Sequence, residues 1–196
     1  MPDAASADTL PLTIGEEPRF CPICGRPVEP RTLEADHRPR LVCSEGHVTW
    51  RNPRMVVGTL PIADGKVYLA RRAIEPSLGK WGNPSGFLEL GESVQEGARR
   101  ETEEETELRV EVGRLIGVYS RPSVGIVTIA FEARVVGGRP EPAAETSEVR
   151  AFGPDEIPWD DIAFTTAESA LRDWVASLPG RGPRFEPELY VEGDPA

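Results

Sequence analysis

Several things are scarce in this chain. Cysteine occurs three times in 196 residues, and histidine and methionine twice each. Three cysteines without a secretory segment argue for a reducing compartment rather than a disulfide scaffold. No apolar run approaches the roughly 20 residues of a helical membrane span. Residues 1–20 also lack the basic start and apolar stretch of a signal peptide. The expectation is a cytoplasmic protein with no membrane partner. Positive charge is short as well: 22 Lys and Arg stand against 33 Asp and Glu, for a net charge of −11. That balance repels a phosphate backbone, so no nucleic-acid partner is expected. Internal repeats are absent. What is present is a 39% hydrophobic composition, enough for a real core. The length leaves room for one full domain and one small one.

The most informative segment is Gly86–Glu105. Asn83-Pro84-Ser85-Gly86 reads as a glycine-bearing loop. Ser93 lies three residues before Glu96, the spacing of a capping box, and predicts a helix over about 94–106. On that helix Glu101, Glu104 and Glu105 share one face, because i+3 and i+4 return to the same side. Most glutamate-rich helices are simply solvated. Here a glycine, a further glutamate (Glu92) and the Arg100-Glu101 pair stand at fixed distances around the stripe. Carboxylates this close repel unless a cation sits between them. An all-oxygen donor set suits Mg²⁺ or Mn²⁺, and a hard dication beside a loop suits chemistry on a diphosphate.

This frame resembles the Nudix box, G-x5-E-x7-R-E-U-x-E-E-x-G-U, with U a bulky aliphatic residue. Residues 86–108 read GFLELGESVQEGARRETEEETEL. Thr102 stands where an aliphatic residue is expected and Glu107 where the second glycine is expected. Neither departure touches an expected metal ligand. Thr102 is expected to weaken helix packing modestly. Glu107 is expected to adopt a left-handed turn at a cost on the order of 1 kcal/mol. The resemblance implies an α/β fold: an α/β/α sandwich around a mixed sheet. The flanking segments fit it. Runs 54–63 and 66–72 flank the hairpin signal Asp64-Gly65. Two more β-like runs cover 108–120 and 124–136, and helical spacing covers 166–177.

Cys21-Pro22-Ile23-Cys24-Gly25 is a zinc knuckle, and Cys43 would supply a third thiolate. Position 46 is glycine, so His47 is the nearest competent fourth ligand. Asp36 and His37 are possible substitutes, and a ribbon that has lost its metal is the alternative. A ribbon followed by His47–Pro53 and then a Nudix domain resembles a subset of the family acting on NADH, FAD or ADP-ribose. The expected organisation is a flexible tail over 1–18, a zinc ribbon over 19–51, a Nudix domain over 52–178 and a flexible tail over 179–196. A homodimer is one possible assembly.

The resemblance implies a hydrolase that cleaves a nucleoside diphosphate linked to another group. Mg²⁺ or Mn²⁺ would be held by Glu101, Glu104, Glu105 and the Gly86 carbonyl, and structural Zn²⁺ by the ribbon. Arg100 would orient a box glutamate. Glu101 is a ligand and candidate base, with Glu148 or Glu145 as the other base candidates or as plain surface acids. Arg71 and Arg72 are candidates for holding the diphosphate, against the simpler reading of strand-end cations. Trp81, Phe87 and Tyr119 could stack on a base or lie in the core. The box segment offers only Ser85 and Ser93 as hydroxyl nucleophiles, so attack by water is favoured over a covalent intermediate. The alternatives are a housecleaning hydrolase of nucleoside triphosphates and a non-catalytic sensor of an ADP-ribose-like ligand.

Overall fold

The computed structural model describes residues 18–33 and 38–181, and the backbone of 189–191. Asp36, His37 and most of both expected tails lie outside these residues. Val28–Thr32 (β1), Pro39–Cys43 (β2) and Val48–Thr49 (β3) form a small antiparallel sheet. Arg54–Ala63 (β4) and Lys66–Arg72 (β5) then pair as the expected hairpin. Its turn residues, Asp64 and Gly65, have φ of 51° and 74°, as a two-residue turn that follows strand twist requires. Trp81–Gly82 (β6), Ser85–Phe87 (β7), Val94–Thr106 (α1), Leu108–Arg121 (β8), Ile126–Gly138 (β9), Thr146–Phe152 (β10), Thr165–Ser177 (α2) and Leu189–Val191 (β11) complete the chain.

The main sheet runs β10-β5-β4-β9-β8-β11, with β6 on β5 and β7 on β4. β4 is parallel to β9 and β11 is parallel to β8, while the other pairs are antiparallel. Strand alternation sends successive side chains to opposite faces. Val57 on one face packs with Ala98 of α1 and Phe131. Leu60 on the other packs with Leu171 and Trp174 of α2, and with Ile116, Tyr119 and Phe152. The result is the helix–sheet–helix sandwich around a mixed sheet.

Three local expectations change. Ser85–Phe87, read as loop, is a strand paired with Val56–Gly58. Gly58 permits this, because a Cβ there would lie 2.5 Å from Ser85 Cβ and 2.6 Å from the Pro84 carbonyl. The break between β8 and β9 falls at 122–125, one residue longer and slightly later than the expected 121–123. Pro122–Val124 is a single 3₁₀ turn closed by Gly125. Residues 189–191, read as tail, add β11 to the sheet edge beside Val118–Ser120.

Helix α1 starts as the capping box dictates. The Glu96 N–H donates to Ser93 Oγ at 3.3 Å, and the Ser93 N–H donates back to Glu96 Oε2 at 2.8 Å. It ends at Glu107, left-handed at φ 58° and ψ 10°, whose N–H reaches the Glu103 carbonyl. Thr102 does not loosen the packing as the box pattern suggested. It is fully buried. Its hydroxyl donates to the Ala98 carbonyl at 2.7 Å and lies 2.7 Å from Thr59 Oγ1 on β4. With the Thr102 proton committed, Thr59 is the donor of that pair. Removing one partner leaves the other buried and unsatisfied, which costs about 1–3 kcal/mol, whereas replacing both is nearly neutral. Thr102→Val is therefore expected to lower stability by about 1–3 kcal/mol in urea unfolding, and Thr59→Val/Thr102→Val to recover most of the loss.

Candidate active site

The box residues meet where α1 crosses β7. Arg100 is the hub. Its Nε and Nη2 form a fork on Glu92, at 3.0 and 2.7 Å. Its Nη1 donates to Glu101 at 2.6 Å and to Glu104 at 3.1 Å. Nη2 also reaches the Phe87 carbonyl at 3.2 Å, which ties the helix to the strand before it. The Arg100 fork holds the Glu92 carboxyl down at about 2, helped by the Glu89 N–H. Glu92 in turn pushes the Arg100 pKa further up. A Cβ on Gly86 would overlap the Glu101 carboxylate, so only glycine lets the loop approach it.

The other two box acids differ in setting. Glu104 is 59% exposed. Glu105 is largely enclosed and accepts the Ser85 N–H at 3.1 Å. Burial pushes its carboxyl up to about 8; Glu101 and Glu145 add to the rise, while the Ser85 N–H and Arg72 oppose it. Burial also raises Glu101, against the pull of Arg100, with Glu104 and Glu145 adding repulsion. A wall whose acids cannot all ionise for want of countercharge is matched to a hard dication. The donor set of Glu101, Glu104, Glu105 and nearby backbone carbonyls therefore fits Mg²⁺ or Mn²⁺.

These acids form one end of a cavity of about 610 Å³. Arg72, Gly86, Phe87 and Glu145 also line it. Arg72 donates from Nε to the Pro76 carbonyl at 2.7 Å, and its guanidinium lies over Phe164. Phe87 has the Arg54 guanidinium 3.5 Å from its ring centre. Of the two acids from the later loop and strand, Glu145 is the one on the cavity wall. Glu148 pairs in register with Arg71 along β10 and β5, with their charged groups 3.7 Å apart. Arg71 gives its Nε to the Gly79 carbonyl, and neither it nor Glu148 lines the cavity. Trp81 is not brought to the cavity either. It is 5% exposed and packs edge-on against Phe152. Tyr119 lies in the same core, its hydroxyl donating to Asp173 at 2.6 Å.

The sequence did not single out several polar cavity residues, among them Glu75, Arg121, Thr128 and Thr166. No motif contains them. One signal was available for Arg121, which stands two residues after Tyr119 and so on the buried side of β8.

The ribbon brings Cys21, Cys24, Cys43 and His47 together, with their ligand atoms all within 4.8 Å of one another. Cys24 Sγ and Cys43 Sγ are 3.7 Å apart, and Cys21 Sγ is 3.8 Å from His47 Nδ1. Tetrahedral zinc with bonds near 2.3 Å requires ligand separations of about 3.8 Å. Burial pushes the Cys21 and Cys43 thiols up, but surrounding backbone N–H groups outweigh it and leave both lowered. The residues present fit Zn²⁺.

The domain model described as NUDIX domain matches residues 52–178, and the one described as Nudix N-terminal matches residues 19–49. A solved Nudix hydrolase from Nitrosomonas europaea superposes with a TM-score of 0.82 at 38% identity, over 89% of this chain and 99% of that one. An ADP-ribose pyrophosphatase of Methanocaldococcus jannaschii is 33% identical over 128 residues, 63% of this chain and 74% of that protein. An NAD-capped RNA hydrolase, NudC, of Stutzerimonas stutzeri is 29% identical over 166 residues, 83% of this chain but only 58% of that protein. Domain matches over both segments and a whole-chain structural likeness lead to one conclusion: this chain belongs to the Nudix hydrolase family and has that family's amino-terminal zinc-ribbon domain.

Proposed function

We propose that the protein is a divalent-cation-dependent hydrolase of nucleoside diphosphates linked to a second group, with ADP-ribose, FAD or NADH as the preferred class. The products are a nucleoside monophosphate and a second phosphorylated fragment. The observation that carries this reading is the acid wall of Glu101, Glu104, Glu105 and Glu145 at one end of a cavity of about 610 Å³. That volume suits a nucleotide-sized ligand. The M. jannaschii relative, named for ADP-ribose, supports the substrate class. The NudC relative's name supports a nicotinamide dinucleotide, while the net charge of −11 argues against an RNA body as the favoured substrate. A small-molecule nucleotide partner and a structural zinc in the ribbon belong to the same reading.

Mg²⁺ or Mn²⁺ bound at the wall supplies Lewis acidity toward the phosphoryl oxygens and acidifies a water. The chain's own residues do the rest. Arg100 fixes the Glu101 and Glu104 carboxylates in place. Gly86 leaves room for Glu101 to sit against the loop. Arg72 lines the cavity within electrostatic reach of Glu105 and offers a cation to the substrate diphosphate. Glu145, facing the same space, is a better-placed proton acceptor than Glu148.

Four outcomes test this. Glu104→Gln is expected to reduce kcat on the best dinucleotide substrate by at least about a hundredfold with little change in melting temperature. Excess chelator should stop turnover and Mg²⁺ restore it; near-normal activity in either case would sink the assignment. Glu145→Gln is expected to lower kcat by at least about tenfold, as loss of a general base does, while Glu148→Gln stays within about threefold. Elemental analysis of protein purified without added metal should find one zinc per chain, absent from Cys21→Ser/Cys24→Ser.

A further inference from the structure

Helix α1 carries the acids, but its last turn is closed from elsewhere in the chain. The final carbonyls of a helix have no partner within it. Glu107 meets one of them, its N–H donating to the Glu103 carbonyl at 3.0 Å. Two others are met by the loop that precedes β10. The Thr146 hydroxyl donates to the Glu105 carbonyl at 2.9 Å, across 41 positions of sequence. The Glu141 N–H donates to the Thr106 carbonyl at 3.1 Å. Thr146 is buried. Its hydroxyl also accepts the Ala143 N–H at 2.8 Å, and its own N–H returns to the Ala143 carbonyl at 3.1 Å. Glu145 lies inside the turn so closed. The Glu145 carbonyl accepts the Ala73 N–H at 2.9 Å, beside Arg72, which pairs with Thr146 in register. The register shifts between Thr146 and Glu148, so Ser147 is the extra residue of a bulge. The bulge lets Thr146 turn inward to α1 while Glu148 stays with Arg71.

We infer that Thr146 is a positioning residue: its hydroxyl latches the Glu145 loop to the end of α1 and so sets the Glu145 carboxylate against Glu105. The inference rests on the hydrolytic reading for what Glu145 does there. Among the described residues the Glu145 carboxylate has no hydrogen bond or ion pair, so the backbone beneath it decides where it stands. There is little slack. Glu105, Glu145 and Thr146 share a recess of about 20 Å³ beside the main cavity, room for about one water. A proton acceptor works within about 2.6–3.2 Å of its proton or through one water, and a misplacement of about 1 Å can cost about a hundredfold. Valine has the shape of threonine without the hydroxyl. It would take this partner from the Glu105 carbonyl and the Ala143 N–H, and release the loop from the helix at that point. Serine keeps both bonds and loses only a methyl group. The Glu141 bond to Thr106 survives either change, so the loop loosens at Glu145 rather than detaching.

The test joins kinetics to amide exchange. The full chain in Mg²⁺ buffer is assayed on the best of ADP-ribose, FAD and NADH, and hydrogen exchange at the Ala143 amide is followed by NMR without substrate. Thr146→Val is expected to lower kcat at least about fivefold with KM within about twofold, and to speed Ala143 exchange at least about tenfold. Thr146→Ser should stay within about twofold of the parent in kcat and exchange. In a Glu145→Gln background, Thr146→Val should change kcat by less than about twofold, because a residue acting through Glu145 has nothing left to position. A threonine that merely supports the fold would lower turnover equally in both backgrounds. Thr146→Ala gives the same comparison should the valine variant not fold. Near-parent kcat in Thr146→Val, equal losses in both backgrounds, Thr146→Ser as impaired as Thr146→Val, or unchanged Ala143 exchange would each overturn the latch. Failure to hydrolyse any of the three substrates, or a Glu145→Gln kcat within about threefold of the parent, counts against the hydrolytic reading; Ala143 exchange then decides the latch alone.

Discussion

One guanidinium organises the acid end. Arg100 bonds three carboxylates from two parts of the chain, plus a strand carbonyl. Without it, Glu92, Glu101 and Glu104 would repel one another, and the segment before α1 would lose its fork to the helix and keep only the capping box and the Ser85–Glu105 bond. Much of this network is shielded from water, where a charge-assisted fork is stronger than at an open surface. The arrangement leaves Glu105 outside the fork, with Ser85 and Arg72 as its countervailing influences. The wall is therefore only part-neutralised by protein.

The sheet supplies the second half of the design. β4 presents one face to α1 and the other to α2, and β7 is laid along β4 at the point where Gly58 makes room. A ligand can reach acids that belong to the α1 side while its remaining body lies against Val56, Ile126 and Thr128 on the other. The two packed layers thus have separate chemical tasks. α1 supplies the acidic wall on which the proposed hydrolysis depends. The α2 side adds Phe164, Thr166 and Ala167 to the cavity wall.

Much of this was legible because it depends on local spacing. The cap at Ser93, the hairpin at Asp64-Gly65, the left-handed Glu107 and the three cysteines with His47 are all set by neighbours in sequence or by a short motif. What could not be read depends on strand register. Glu145 and Glu148 look alike in the chain, but a register shift between Thr146 and Glu148 accompanies the different settings of the two acids. Trp81 and Phe87 are both aromatics near the box. One pairs beside β5 and is buried, and the other pairs with β4 at the cavity rim. Arg121 carries no motif at all and lines the cavity only because β8, β9 and α2 converge there.

The threonine pair behind α1 has a mechanical meaning. Apolar contacts tolerate a helix turning about its axis, since one methyl serves much as another. A hydrogen bond between Thr59 and Thr102 does not, because it has a direction. Rotating α1 by one residue, about 100°, would swing Thr102 away from β4 and leave the buried Thr59 hydroxyl without its acceptor, while Thr102 would keep its bond to Ala98 within the helix. The pair therefore acts as a detent on the dry side of the helix. The angle at which Glu101, Glu104 and Glu105 face the cavity is indexed from behind, by groups that never meet a substrate.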